Sequence, residues 1–328
     1  MTNTSTADTA STVAQIERLT KAGCEIVRVA VPDMAAAINL AMIKERISIP
    51  LVADIQFDHR LALRAITAGV DMLRLNPGNI TDSRKIAAVA HAAKRAGIPI
   101  RVGVNSGSLD PSFRNHRGQV SAEGMVASAL REVSLLEREG FTDIVISVKA
   151  TDVKTTIDAY RLVAQRLDYP LHIGITEAGT ALEGAIRSAV GLGILLSEGI
   201  GDTIRVSLTG DPVQEVHVAY EILKTLGLRQ RGITYRICPT CGRTKINLAQ
   251  IATQIQHQLA DITEPLVIAL MGCVVNGVGE VQEAAIGLVG GDGEGTIYVD
   301  GKCVKRAVPE EALVREIVKI TRSYLAKS

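Results

Sequence analysis

The chain has no tryptophan, and aromatic residues make up only 3% of its 328 residues. Ala, Val, Ile and Leu must therefore fill the interior of a protein that is 47% hydrophobic. Small and β-branched side chains of this kind suit parallel strands buried on both faces. Neither charge sign dominates: 36 Lys and Arg stand against 35 Asp and Glu, a formal net charge of +1. No global field therefore draws nucleic acid or a membrane surface. No apolar run approaches the ~20 residues that a membrane-spanning helix needs. The opening Met-Thr-Asn-Thr-Ser-Thr-Ala-Asp is acidic-polar, unlike a secretory signal. Five cysteines, an odd number, argue against a disulfide framework and for a reducing cytoplasm.

Residues 25 to 210 repeat one pattern, a short apolar strand followed by an amphipathic helix. The patterning predicts strands at 25–31, 50–55, 72–76, 99–105, 143–149, 171–176 and 203–207, with helices such as 124–139 and 180–196 between them. Repeated βα units with β-branched strands imply a parallel sheet with helices outside, and at this length a (β/α)8 TIM-type barrel. A doubly wound open sheet is the second candidate. Seven strands are visible where a barrel has eight. A polar stretch and a helix at 9–22 come first, so the missing strand is expected to be the first one. Either the chain is truncated at its start or the barrel closes irregularly. An open barrel would expose unpaired strand edges, an aggregation hazard.

Polar residues gather at the carboxyl ends of these strands: Arg28, Asp54, Arg74, Asn76, Arg101, Asn105, Lys149, His172, Glu177, Arg205 and Ser207. Barrel enzymes build their catalytic face from those ends. Arg and Lys within apolar strands are costly unless paired or bound to an anion. Four Arg and one Lys on one mouth therefore imply a doubly charged or larger phosphate ligand. The competing account is that some of them form structural ion pairs with Asp54 or Glu177.

Beyond residue 229 the pattern changes, which predicts a barrel domain over 1–229 and a small α+β domain over 230–328. The second domain reads as strand 233–237, helix 244–259, strand 266–271, a glycine-rich turn at Cys273, strand 284–289, a hairpin at 290–301 and a closing helix 310–326. It holds Cys238 and Cys241 in a Cys-x-x-Cys pair, and Cys273 in Met271-Gly-Cys-Val-Val-Asn-Gly-Val-Gly-Glu280. Three thiolates leave a fourth ligand position open or filled by another residue, as in sites that do chemistry. Glu280 and Cys303 are the candidates for that position, and Gly277 and Gly279 are expected to shape the turn through positive φ. A structural zinc is the bland alternative. Zinc ribbons show two paired knuckles, however, and here the second half is a lone cysteine, so the spacing favours iron–sulfur. Cys24 and Cys303 read as ordinary residues. His91, His116, His217 and His257 read as surface residues, and His172 as core or site. Gly290-Gly-Asp-Gly-Glu-Gly295 lies between strands and reads as a turn, not a phosphate loop.

At these residues the chain resembles the 4-hydroxy-3-methylbut-2-enyl diphosphate synthase family. The motifs run nearly end to end. They include Ile26-Val-Arg-Val-Ala-Val-Pro-Asp33, Pro50-Leu-Val-Ala-Asp54, Arg74-Leu-Asn-Pro-Gly-Asn79, Arg101-Val-Gly-Val-Asn-Ser-Gly107, Gly174-Ile-Thr-Glu-Ala-Gly179, Ile204-Arg-Val-Ser-Leu-Thr-Gly-Asp-Pro212 and Cys238-Pro-Thr-Cys-Gly-Arg243. The resemblance implies a TIM barrel followed by a sulfite-reductase-like domain. It implies a [4Fe–4S] cluster on Cys238, Cys241 and Cys273, with Glu280 on the fourth iron. The implied substrate is 2-C-methyl-D-erythritol 2,4-cyclodiphosphate, its diphosphate held by Arg28, Arg74, Arg101, Lys149 and Arg205 with Asn76, Asn105 and Ser207. Asp54, Glu177 and Glu280 are the candidate catalytic carboxylates. Flavodoxin or ferredoxin would deliver single electrons, and the enzyme would be a homodimer in which one subunit's cluster domain covers the other's barrel mouth. Three departures stand out. The family's first barrel strand is not present, Gln56 replaces a histidine, and Val278 replaces a proline that would stiffen the turn. They motivate an alternative, a truncated or divergent paralogue that binds cluster or phosphate ligand without turnover. A zinc-stabilised barrel enzyme acting on sugar phosphates is the third.

Overall fold

The computed structural model describes residues 1–56, 58–76 and 82–327, and of Asn276 the backbone only. Pro77, Gly78 and Asn79 of the Arg74–Asn79 motif lie outside the described residues. The chain divides into two compact units, Met1–Ile222 and Leu223–Ser328.

The first unit alternates helix and strand: α1 (Thr9–Ala22), β1 (Val27–Val31), α2 (Met34–Lys44), β2 (Leu51–Ile55), α3 (His59–Thr67), β3 (Met72–Leu75), α4 (Ser83–Ala96), β4 (Ile100–Asn105), α5 (Ala122–Arg138), β5 (Ile144–Lys149), α6 (Val153–Arg166), β6 (His172–Ile173), α7 (Ala181–Ser197), β7 (Thr203–Ile204) and α8 (Pro212–Thr225). Strands β1 to β5 pair in chain order and all in parallel. A single parallel bridge, Ile146 to Leu171, carries the order on to the β6–β7 pair. This is the parallel βα succession of a (β/α) barrel, with seven strands among the described residues. Helices start where the sequence supplies a cap. Asp8, Asp33, Asp58, Asp82 and Asp152 each accept a backbone N–H of the first turn of the helix they precede. The strand interiors are apolar and closed to water, with Val27, Val29, Leu51, Leu73, Ile100 and Ile146 fully buried. Each such side chain contributes about 1.5–3 kcal/mol by leaving water. The sixth and seventh strands are far shorter than the predicted 171–176 and 203–207; on the β5 side of β6, side chains of α6 enter the seam.

The second unit holds β8 (Ile233–Ile237), α9 (Leu248–Gln258), β9 (Leu266–Met271), α10 (Val274–Gln282), β10 (Ile286–Gly290), β11 (Glu294–Val299), β12 (Lys302–Pro309) and α11 (Glu310–Leu325). Its sheet runs β8-β9-β10-β11-β12, the first three strands parallel and the last two antiparallel. Helices α9 and α11 bury Ile251, Ile255, Leu313 and Ile317 with Ile268, Leu270, Ile286 and Leu288 of the sheet.

Two expectations change here. The segment after Cys273 is a helix, not a glycine turn, and neither Gly277 nor Gly279 adopts positive φ. Gly277 serves instead for close approach, since a Cβ there would stand 2.9 Å from Val289 Cγ1. Residues 302–309 form an edge strand that the sequence pattern concealed. Six of its eight residues in a row are exposed, so it shows no alternation, and its Lys302, Lys305 and Arg306 are typical of a guarded sheet edge.

Candidate functional site

In the barrel unit, Asp54, Arg74 and Arg101 occupy one row across β2, β3 and β4. Arg74 is 6% exposed; its Nη1 donates to Asp54 Oδ1 at 3.0 Å and its Nη2 to the Gly103 carbonyl at 2.8 Å. It lies where Gly103 has no side chain, as a Cβ there would stand 2.5 Å from Arg74 Nε. Arg28 Nε approaches the other oxygen of Asp54 at 3.6 Å. One buried carboxylate thus orients two guanidinium groups.

Arg101 has no such partner. It is 5% exposed, and its Nε and Nη2 are buried without a hydrogen bond. Burial, and then the Arg74 charge, push it down to about 10. Lys149 ends β5, paired with Asn105 at the end of β4. Its ammonium lies over the residue that follows β6, 2.9 Å from where a Cβ of Gly174 would stand. Burial first, then Arg101, Arg205, Arg28 and Arg74, hold it well below an ordinary lysine. Arg205 donates to Glu215 at 3.4 Å, and its Nε is buried and unpartnered.

Five cationic groups therefore face two buried carboxylates, Asp54 and Glu215. Buried like charges repel, and a dianionic ligand with many acceptor oxygens would satisfy both the excess charge and the orphaned N–H groups. His172 adds no charge. Burial and then the Lys149 ammonium hold it well below its usual range, its Nδ1 meets Thr203 Oγ1 at 2.8 Å, and its Nε2 is buried and unpartnered.

The remaining predicted residues lie around this group. Asn76 is 5% exposed and donates to Ser108 Oγ at 2.8 Å. Ser207 and Gln56 are half-buried just beyond β7 and β2. Glu177 is exposed in the loop after β6, with a left-handed φ of 52°, and accepts from Thr151 Oγ1 at 3.3 Å. It pairs with no arginine among the described residues, so the expected structural ion pairs form on Asp54 and not on Glu177. Sequence reasoning missed Glu215, which also accepts the Leu208 N–H at 3.0 Å. An acidic residue in the first turn of a helix is ordinary composition, and that disguised it.

In the second unit the three thiols are carried to one end of its parallel strands. Ile237 pairs with Leu270, and the Cys238 N–H donates to the Leu270 carbonyl at 3.0 Å. Cys273 stands two residues past the end of β9, at the N-cap position of α10. Cys241 is exposed, and its N–H donates to Thr244 Oγ1 at 3.3 Å. Thr240 between the pair has a left-handed φ of 62°. Thr244 packs flat on Gly272, where a Cβ would stand 2.7 Å from its Oγ1. This one side chain therefore staples the Cys-x-x-Cys turn to the Cys273 turn.

Among the described residues, no three His, Cys, Asp or Glu side chains close on a single ion position. Glu280 is exposed on α10, seven residues past Cys273, which is ~10 Å along a helix axis. Cys303 lies opposite Tyr298, near the start of β10 and away from the end that carries Cys273. Cys24 is half-buried rather than core. His91, His116, His217 and His257 are exposed. No helix among the described residues is long and apolar enough to cross a membrane.

Comparison with known proteins matches each unit to one family model: the GcpE TIM-barrel domain over residues 1–220, and the GcpE protein C-terminal domain over residues 234–323. A 4-hydroxy-3-methylbut-2-en-1-yl diphosphate synthase (flavodoxin) of Geobacter sulfurreducens is 56% identical, covering 98% of this chain and 92% of its own. The like-named protein of Caldanaerobacter subterraneus subsp. tengcongensis is 55% identical over 97% of this chain and 90% of its own. Among solved structures, a Yersinia pestis dihydropteroate synthase covers 67% of this chain and 90% of its own at 12% identity and a TM-score of 0.48, too slight a likeness to argue from. A family model on each unit, and relatives more than half identical across nearly its whole length, show that the chain belongs to the GcpE family, the 4-hydroxy-3-methylbut-2-en-1-yl diphosphate synthases.

Proposed function

We propose that this chain carries out the reductive ring opening and dehydroxylation of 2-C-methyl-D-erythritol 2,4-cyclodiphosphate to 4-hydroxy-3-methylbut-2-enyl diphosphate, a step toward isoprenoids. Two electrons and two protons enter and one water leaves. The observation that carries this reading is the cation-rich mouth, above all the unpartnered Nε and Nη2 of buried Arg101 beside a Lys149 that no carboxylate neutralises. Relatives that bear the synthase name lend the non-turnover alternative no support.

Arg28, Arg74, Arg101, Lys149 and Arg205, with Asn76, Asn105 and Ser207, hold the two phosphoryl groups. Asp54 keeps Arg74 and Arg28 aimed. Glu177 stands at the rim, exposed, where a carboxyl group can pass a proton to a departing hydroxyl. Cys238, Cys241 and Cys273 would hold a [4Fe–4S] cluster. Three soft thiols at one sheet end, one of them at a helix N-terminus, suit that donor set. When bound, the cluster supplies electrons one at a time. Glu280 reaches it only if the second turn of α10 unwinds, a change that Gly277 and Gly279 make less costly. The relatives' names give flavodoxin as the electron donor. We extend that donor to this chain, together with a cytoplasmic setting, a homodimer and a working division at residues 229/230.

Anaerobic purification and reconstitution, followed by iron and acid-labile sulfide assays, tests the cofactor. About four of each per chain is expected, with turnover of the cyclodiphosphate by reduced flavodoxin. Zinc without sulfide would overturn the reductive chemistry and leave a phosphate-binding barrel.

A further inference from the structure

Beside Lys149 the sheet ladder is interrupted in a particular way. Ile146 N donates to the Pro170 carbonyl at 2.9 Å, and further on Thr176 N donates to the Ala150 carbonyl at 3.3 Å. The register between β5 and the 171–176 segment is therefore the same on both sides of the interruption. In that register the next rung after Ile146 would join Val148 N to the His172 carbonyl. Instead the Tyr160 hydroxyl sits between them, accepting from Val148 N at 3.2 Å and donating to the His172 carbonyl at 2.7 Å. The following donor, Ala150 N just past β5, is taken by Thr156 Oγ1 at 3.0 Å. Tyr160 and Thr156 are both fully buried and lie one turn apart on α6.

Lys149 is the residue between those two diverted N–H groups. Its side chain crosses the widened seam onto Gly174, where a Cβ would stand 2.4 Å from the Arg205 carbonyl and 2.9 Å from Lys149 Nζ. A closed ladder would draw the Gly174 segment toward β5 and move the floor over which the amine lies.

We propose that Tyr160, supported by Thr156, is a positioning residue that wedges this seam open so that the Lys149 ammonium reaches the anion held at the barrel mouth. The hydroxyl touches no reacting atom; it acts through the backbone on either side of Lys149. The groups facing that ammonium are Arg101, Arg205, Arg28, Arg74 and His172. Among them Lys149 alone has its backbone neighbours bonded to a helix side chain in place of the sheet. The inference rests on the mouth being the phosphate site proposed above, so the test includes a measurement that needs no ligand.

Tyr160→Phe in the full chain keeps the ring and removes the hydroxyl. Titration calorimetry with inorganic diphosphate should show binding weakened about tenfold, and the effect should vanish in a Lys149→Met background, the non-additivity expected of coupled residues. Equal weakening with and without Lys149 would mean that Tyr160 merely supports the barrel, and would overturn the proposal, as would wild-type affinity in Tyr160→Phe. Acylation of Lys149 by a small anhydride, followed by mass spectrometry across a pH series, reads the amine directly. Tyr160→Phe and Thr156→Val should each change its rate profile while the other lysines stay unchanged. An unchanged Lys149 profile refutes the positioning role. A changed profile in a protein that does not bind diphosphate would keep the positioning role and discard the phosphate reading of the mouth.

Discussion

The barrel mouth and the cysteine end of the second unit both lie at the carboxyl ends of parallel strands, yet they are built by opposite means. The mouth is held by buried charge. Asp54, Arg74, Arg101 and Lys149 are each 4–6% exposed, and two of the cations lie over glycines, Gly103 in β4 and Gly174 just past β6. Its geometry is set before any ligand arrives, at the cost of cationic repulsion that Asp54 and Glu215 only partly offset. The cysteine end is held by backbone and by close packing of small groups: Thr244 on Gly272, and Gly272 against Gly290. Cys241 is exposed there. Substitutions at the mouth should therefore speak through electrostatics, and those at the cysteine end through sterics and thiol chemistry.

The largest separation of the two regions comes from Cys273→Ala. Iron and sulfide incorporation should be lost, and turnover with it, while inorganic diphosphate still binds the barrel with unchanged affinity. Calorimetry on the variant checks this, and loss of diphosphate binding would show that the two regions are not independent.

Arg101→Met breaks the comparison from the other side, with effects of opposite sign on binding and stability. Binding of diphosphate should weaken by about 10- to 100-fold, the range of one or two charge-assisted hydrogen bonds. The ligand-free protein should become more stable, because a buried guanidinium with two unpartnered N–H groups is replaced by an apolar side chain. Denaturant unfolding decides it; a destabilised variant would mean that Arg101 is paired in solution.

Much of this was legible in the sequence, for a physical reason. Arg and Lys inside apolar strands, and three cysteines in a chain without a disulfide pattern, are costly residues that need a purpose. What escaped was the support around them. Tyr160 and Thr156 sit at ordinary core spacing on a helix, and nothing in that pattern says that their hydroxyls enter a sheet. Glu215 looks like a first-turn helix residue. The predicted turn after Cys273 was wrong because glycine permits positive φ without requiring it, and close packing against Val289 is the stronger demand. Edge strand β12 was invisible because exposure on both faces erases the alternation by which strands are recognised.

Lys149 sharpens the electrostatic half through pH. Its pKa in the folded chain lies well below the ordinary 10.5, so between those two values the unfolded chain binds the proton more tightly than the folded one. Stability of the ligand-free barrel should therefore rise with pH across that window, with a slope of at most ~1.4 kcal/mol per pH unit for one proton. Over the same window diphosphate affinity should fall as the ammonium is lost. Lys149→Met should flatten both profiles. A pH-independent wild type would place the lysine in water.

The smallest effect tests the steric half. Gly272→Ala places a methyl group 2.7 Å from Thr244 Oγ1 and 2.8 Å from its Cγ2, so Thr244 must move. Overpacking of this kind costs about 1–3 kcal/mol, and a partly exposed turn that can shift should sit at the lower end. Movement of Thr244 also withdraws the acceptor from the Cys241 N–H. The metal-free variant should melt slightly lower and lose reconstituted cluster faster, with diphosphate affinity unchanged. Thr244→Ala removes both crowding atoms and the acceptor, so Gly272→Ala made in that background should leave the cluster lifetime of Thr244→Ala unchanged. If it does not, the close packing of Gly272 serves Gly290, whose own Cβ would stand 3.0 Å from the Gly272 carbonyl, and the link between the two thiol-bearing turns lies in the sheet backbone instead.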